Sequence, residues 1–199
     1  MTRWYSEKKR EHFYKEAKKS GYRARSAYKL IQIQKKFKII NKNDIVIDLG
    51  AAPGGWSQVA NKYIGNKGKI IGIDLSPIKP IEGIIFLQGD MTDKSSLKEI
   101  KTNLECKKAD VVLSDMAPDI SGNYSVDQAR SIFLCEQALN TANNLLRPGG
   151  NFVCKAFSGE DLSDFTKKIK NNFKIVKNFS PPASRKSSSE IYIIAKNKN

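Results

Sequence analysis

A chain of 199 residues suits one domain with a sizeable core, and Cys106, Cys135, Cys154 and the single His12 hold no C-x-x-C pair, which excludes a disulfide framework and a Cys/His metal site. No apolar run reaches the length of a membrane span and no charged-then-apolar leader opens the chain, so the expectation is a soluble intracellular protein without a metal. The formal charge of +15 is uneven, with a net +10 over residues 1–40, −3 over 41–166 and +8 over 167–199, the footprint of a polyanion binder whose small-molecule site lies in the slightly acidic middle.

Residues 1–40 read as a basic N-terminal helical segment and 41–199 as the catalytic domain. Helices are expected over 7–19 and 25–36, the second with Ala27, Leu30, Ile31 and Gln34 at helical spacing. Arg23, Arg25, Lys35 and Lys36, interleaved with Tyr22 and Tyr28, are placed to meet phosphates and to stack on bases. Taken singly, each tyrosine is better explained as an anchor of its helix on the sheet.

The chain then turns on Ile45-Val46-Ile47-Asp48-Leu49-Gly50-Ala51-Ala52-Pro53-Gly54-Gly55-Trp56-Ser57. An unbroken β-branched run suits a strand covered on both faces. Gly50, Gly54 and Gly55 let the backbone bend and let a ligand approach closely, and a helix starting near Gly55 aims free N–H groups into the same crevice. The spacing matches neither the dinucleotide fingerprint nor a P-loop. An acid at Asp48 repels a pyrophosphate and attracts the ammonium or sulfonium of S-adenosylmethionine; an ordinary strand-to-helix turn needs fewer glycines.

After a helix over 56–64, strands are expected over 69–75 and 83–87. Asp74 ends the first of these and is placed to accept both hydroxyls of a nucleoside ribose; Asp90, just past the second, is placed to accept from an adenine amino group. Either acid alone also fits a helix cap. A strand over 109–115 ends in Asp115, and the following Met116-Ala117-Pro118 lacks the aromatic that stacks a flipped base in base methylation. A long helix over 126–146 stops at Arg147-Pro148-Gly149-Gly150. The strand over 151–157 contains Lys155 among Phe, Val and Ala, where an unpaired ammonium costs several kcal/mol. Cys154 points to the opposite face and reads as a small buried hydrophobe. A helix over 161–172, a strand over 173–179 and an antiparallel partner over 190–195 complete the pattern, with Arg185 and Lys186 on the connecting loop available to phosphate or to solvent.

Asp48 to Ser57, Ser114-Asp115-Met116-Ala117-Pro118, Lys155 and Ser189-Glu190-Ile191-Tyr192 together resemble the FtsJ/RrmJ family of RNA ribose 2′-O-methyltransferases, a likeness that runs from residue 3 to residue 195. The resemblance implies an α/β, Rossmann-like methyltransferase fold: a mostly parallel seven-stranded sheet, an antiparallel last strand and helices on both faces. It implies S-adenosylmethionine as methyl donor, family cofactor contacts on Gly54, Trp56, Asp74, Asp90 and Asp115, and a Lys-Asp-Lys-Glu active site on Lys29, Asp115, Lys155 and Glu190. Trp56 is either a wall of the donor pocket or a core anchor.

Methyl transfer to a hydroxyl needs the acceptor held at near-attack distance and its proton removed. Lys155 is the candidate base; a nearby Lys29 and partial burial favour its neutral amine, while Asp115 and Glu190 favour the ammonium and orient it. The substrate is expected to be RNA, which alone offers a 2′-hydroxyl. The Asp-Met-Ala-Pro stretch resembles the bacterial and organellar branch that modifies large-subunit ribosomal RNA, commonly in the assembled subunit. The expectation is a monomer, cytoplasmic if the source is bacterial, and mitochondrial, in another organelle or nucleolar if it is eukaryotic. A tRNA ribose methyltransferase, a non-catalytic ribosome-assembly factor, a base methyltransferase and a nicotinamide oxidoreductase are the alternatives.

Overall fold

A computed structural model describes residues 19–184 and 188–199. The helix expected over 7–19 therefore lies outside the described residues except for Lys19, and so do Arg185 and Lys186. Seven strands, β1 Ile45–Leu49, β2 Lys69–Asp74, β3 Ile84–Gln88, β4 Ala109–Ser114, β5 Leu146–Phe157, β6 Phe173–Phe179 and β7 Glu190–Lys198, form one sheet in the order β3-β2-β1-β4-β5-β7-β6. Only β7 runs against its neighbours, β5 and β6. The helices are α1 Ala27–Phe37, α2 Gly55–Ile64, α3 Lys94–Leu104, α4 Tyr124–Leu145 and α5 Leu162–Lys170. None of the described helices is long and apolar enough to cross a membrane.

Strand alternation divides the core in two. On one face Val46, Ile70, Val111, Leu113, Val153 and Ile194 pack with Ala27, Leu30 and Ile33 of α1 and Trp56, Val59 and Ala60 of α2. On the other Ile47, Leu49, Ile71, Ile73, Val112 and Phe152 pack with residues of α3, α4 and α5. A sheet covered on both sides explains why β1 carries no alternation of polar and apolar residues.

Gln34 is buried on α1 without cost because its Oε1 accepts from the Ile39 and Ile40 amides at 2.9 Å each and its Nε2 donates to the Ile40 carbonyl at 2.6 Å. These bonds seal the C-terminus of α1 and turn the chain toward β1.

Two elements differ from the sequence expectation. α3 falls in a stretch to which no element was assigned, although Leu97, Ile100 and Leu104 are spaced for one face of a helix. β5 begins at Leu146, five residues early: Leu146 pairs with Ala109 and Asn151 with Val111, so Arg147-Pro148-Gly149-Gly150 is looped out as a bulge, with Gly149 at φ +77°.

Candidate active site

The strand order reverses between β1 and β4, and at such a switch point the carboxyl ends of the strands open a crevice. The turn after β1 is laced to the end of β2: the Gly50 and Ala51 amides donate to the Ile73 carbonyl at 2.9 and 3.1 Å, and the Ala52 amide donates to Asp74 Oδ2 at 3.0 Å. Gly50 sits at φ +71°, and a Cβ there would stand 2.4 Å from Met116 Cγ, so the turns after β1 and β4 close on each other only because this residue has no side chain.

A cavity of about 410 Å³ lies in the crevice, with Asp74, Asp90 and Asp115 on its wall and Leu75, Met91 and Phe133 as apolar surface. Its size falls in the range of small-molecule sites. Asp74 Oδ1 accepts from the Ser76 amide at 2.8 Å, so each Asp74 oxygen has one backbone donor and a second lone pair to spare. Asp90 Oδ1 accepts from the amide and hydroxyl of Thr92, both at 2.8 Å, and these bonds hold its carboxyl below the ordinary range. Apolar walls with two fixed carboxylates suit a nucleoside: rings against the first, ribose hydroxyls and an amino group against the second. The residues present therefore fit S-adenosylmethionine.

Beside this cavity the structure brings Lys29, Asp115, Lys155 and Glu190 together. Lys155 Nζ lies 3.1 Å from Asp115 Oδ1 and donates to the Asp115 carbonyl at 2.5 Å. Lys29 Nζ, delivered by α1, donates to Glu190 Oε2 at 2.6 Å. The antiparallel pairing of β5 with β7 sets Lys155 opposite Tyr192 and Phe157 opposite Glu190, which carries both β7 side chains to the same end of the sheet. Each lysine thus has its own carboxylate, and the four charges sum to zero. Burial pushes the Glu190 carboxyl up, but the charge and hydrogen bond of Lys29 and the charge of Lys155 outweigh it and hold it below the usual range.

Tyr192 is the centre that sequence reasoning missed. Its side chain is fully buried, its hydroxyl donates to Asp115 Oδ1 at 2.7 Å, and Lys29 Nζ stands 5.5 Å from its ring centroid. Burial, then the charges of Asp115 and Glu190, push the phenol well above the ordinary tyrosine range, so it remains a donor. The available signal was its place two residues after Glu190, on the same face of the strand.

The FtsJ-like methyltransferase family model matches residues 22–198. The chain belongs to that family. It is 51% identical to the ribosomal RNA large subunit methyltransferase E of Methanothrix thermoacetophila, over 94% of this chain and 72% of the relative. To the protein of the same name from Marinobacter nauticus it is 45% identical, over 98% and 94%. Among solved structures, a Plasmodium falciparum protein described as a ribosomal RNA methyltransferase superposes with a TM-score of 0.81 at 33% identity, covering 89% of this chain and 98% of that one. A fibrillarin from Aeropyrum pernix shares the methyltransferase fold, with a TM-score of 0.59 at 17% identity over 85% and 76%.

In this FtsJ-like chain the structure shows how two more of the residues expected at the donor are placed. Trp56 is 3% exposed and sits in the core, its Nε1 donating to the Ser26 carbonyl at 2.9 Å and its ring 5.7 Å from that of Tyr192. The ring anchors the core, and it braces the start of α1 against the site. Gly54, at φ +107°, caps α2 on the donor turn, where a Cβ would meet Ile81 and Arg23. Arg23 was expected on RNA phosphates. Its guanidinium instead donates to the carbonyls of Pro53, Lys79 and Pro80, the Pro53 contact at 3.2 Å and the Pro80 contact at 2.8 Å, and so ties the N-terminal segment to the donor turn.

Asp48 was expected to meet the positive end of the donor. In the FtsJ-like fold it is fully buried beneath the turn, outside the cavity lining, with Oδ2 accepting from Ser57 Oγ at 2.6 Å and Oδ1 without a partner among the described residues. Burial pushes its carboxyl from 3.8 up to about 7, with the Ser57 bond opposing and the charges of Asp115 and Asp74 adding to the rise. Below 3.8 folded and unfolded chains both hold this proton; between 3.8 and about 7 only the folded chain does. Stability then falls as pH rises through that window, by about 1.4 kcal/mol per pH unit, and levels off above it. Asp48→Asn, neutral throughout, is expected to remove this part of the decline, so that its melting temperature gains on the wild type across the window. Parallel pH profiles of melting temperature for the two proteins would contradict the assignment.

Proposed function

We propose that this chain transfers the methyl group of S-adenosylmethionine to a ribose 2′-hydroxyl of large-subunit ribosomal RNA. The observation that carries the reading is the double position of Asp115: the residue lines the donor cavity, and its carboxylate receives Lys155 Nζ and the Tyr192 hydroxyl. One side chain thereby joins the donor site to a lysine able to handle the acceptor proton. The names carried by the Methanothrix and Marinobacter relatives support ribosomal RNA as the substrate.

Asp74 would hold the donor's ribose and Asp90 its adenine amino group, and the donor when bound would supply an electrophilic methyl on a sulfonium. Once its ammonium has released a proton to solvent, Lys155 Nζ would take the proton of the 2′-hydroxyl as that oxygen gains the methyl and the donor leaves as the neutral thioether. The ammonium that results is stabilised by the contacts to the Asp115 Oδ1 and carbonyl. Tyr192 and Lys155 together fix the Asp115 carboxylate. Glu190 holds Lys29, whose ammonium, brought by the N-terminal segment, orients the acceptor strand at the site. All four residues come from one chain, so the site is complete within a monomer.

Labelled methyl transfer tests the substrate. Undermethylated large subunits, free large-subunit RNA and tRNA are offered in parallel with donor in excess. Label in ribosomal RNA, whether free or in the subunit, is the expected result; label confined to tRNA, or none on any substrate, would overturn the reading.

A further inference from the structure

The segments 17–43 and 165–189 contain no aspartate or glutamate. They are far apart in the chain, and the fold brings them together. Phe37, the last residue of α1, meets Phe179, the last of β6, edge to face with ring centroids 5.3 Å apart. Lys36 Nζ stands 4.4 Å from the Phe179 ring centroid, and Lys196 of β7 donates to the Phe37 carbonyl at 3.0 Å. Farther toward the site, the Ala183 amide donates to Gln32 Oε1 at 2.9 Å.

The register shows which way this surface runs. Phe179 pairs with Tyr192, the residue bonded to Asp115, so the seam begins at the candidate active site. Lys177 pairs with Ile194, which packs on the α1 face, and Ile175 pairs with Lys196; β6 thus lays Phe179, Lys177 and Ile175 along that face at about 7 Å intervals. Lys35, Lys36 and Lys177 are exposed, and none pairs with a carboxylate among the described residues. The α5 lysines behave differently: Lys167 is paired with Asp164 and Lys168 with Glu136. A solvated lysine face interspersed with acids produces little net field. An acid-free strip leading away from the site produces a sustained one, and half-exposed phenylalanines with Ile175, 43% exposed, offer apolar surface along it.

We infer that the seam between the C-terminal end of α1 and the edge strand β6 is a track for the RNA strand flanking the target ribose, with Lys35, Lys36 and Lys177 on its phosphates and Phe37, Phe179 and Ile175 against its sugars and bases. The inference rests on the methyl-transfer reading for the identity of its ligand. Aromatic surface beside unpaired cations is the combination that holds single-stranded nucleic acid without reading its sequence.

The test is the triple variant Lys35→Gln, Lys36→Gln, Lys177→Gln beside a charge-matched control, Lys94→Gln, Lys98→Gln, Lys101→Gln, on the exposed side of α3. Binding of polyuridylate is measured from low to high salt. The track variant is expected to lose on the order of 10²-fold in affinity at 0.1 M salt and to flatten the log–log salt slope by about 2, as three lost phosphate contacts require, while the control keeps the wild-type slope. In methyl transfer to ribosomal RNA its KM rises while kcat at saturating RNA and the affinity for S-adenosylmethionine stay at wild-type values. Equal slopes for track variant and wild type, or an equal loss in the control, would overturn the track. A wild-type protein that binds polyuridylate through these lysines but methylates no RNA would count against the methyl-transfer reading alone.

Discussion

Lys155→Ala is expected to slow single-turnover methyl transfer by about 10²–10⁴-fold at saturating donor and RNA, the contribution of a positioned general base. Donor affinity should stay within a few-fold of the wild type, because Lys155 does not line the cavity and reaches it only through Asp115. The separation matters, since loss of rate with loss of donor binding would mean only a disturbed pocket. Lys155→Arg sharpens the comparison. It keeps a cation near Asp115 but cannot release its proton at ordinary pH, so it too should fail in transfer while binding donor normally. Full turnover by either variant, with donor binding intact, would remove Lys155 from the role of base.

Asp115→Ala should have the largest effect on stability among the four charged residues. It leaves the Lys155 ammonium, whose side chain is 7% exposed, with only a backbone carbonyl, and the buried Tyr192 hydroxyl with no acceptor. Removing one partner of a buried ion pair costs about 3–5 kcal/mol. In a chain of this size that lowers the melting temperature by roughly 6–20 °C. The cost comes from stranding the partner, so taking away both charges with Asp115→Ala and Lys155→Met should restore much of the lost stability while leaving transfer abolished. A double variant whose melting temperature is the sum of the two single losses would show that the pair is not coupled.

The scaffold was readable because its signals are local. β-branched runs at 45–49, 69–74 and 109–114 announce buried strands, the glycines after Leu49 announce the turn, and an acid at or just beyond the end of β2, β3 and β4 marks one edge of the sheet. Lys155 stood out for a similar reason, since an ammonium in a run of apolar residues demands a partner. The helix α3 was equally open to view in Leu97, Ile100 and Leu104, but its polar surroundings of Lys, Ser and Thr masked the period.

Other features depend on distant pairings that no window of sequence contains. Arg23 has the composition of a phosphate ligand, and only the convergence of the Pro53, Lys79 and Pro80 carbonyls gives its guanidinium other work. The Trp56 ring is anchored in the core because Ser26 and Tyr192 reach it from other parts of the chain. The sequence places Lys29 against Lys155 with Asp115 and Glu190 opposing their repulsion, but does not show which carboxylate serves which lysine. The register of β7 against β5 interposes Glu190 and Tyr192, so each lysine is neutralised by its own carboxylate. The acid-free seam is legible in composition only as two basic ends, and it becomes one surface when Phe37 meets Phe179.

The most direct test of the central claim, that this site methylates a ribose oxygen, is the chemical position of the transferred methyl. Ribosomal RNA labelled by the wild-type protein is hydrolysed with alkali, which cleaves wherever a free 2′-hydroxyl remains. Label recovered in an alkali-resistant dinucleotide, and lost with Lys155→Ala, is the predicted result. Label recovered in a mononucleotide would place the methyl on a base and contradict the account.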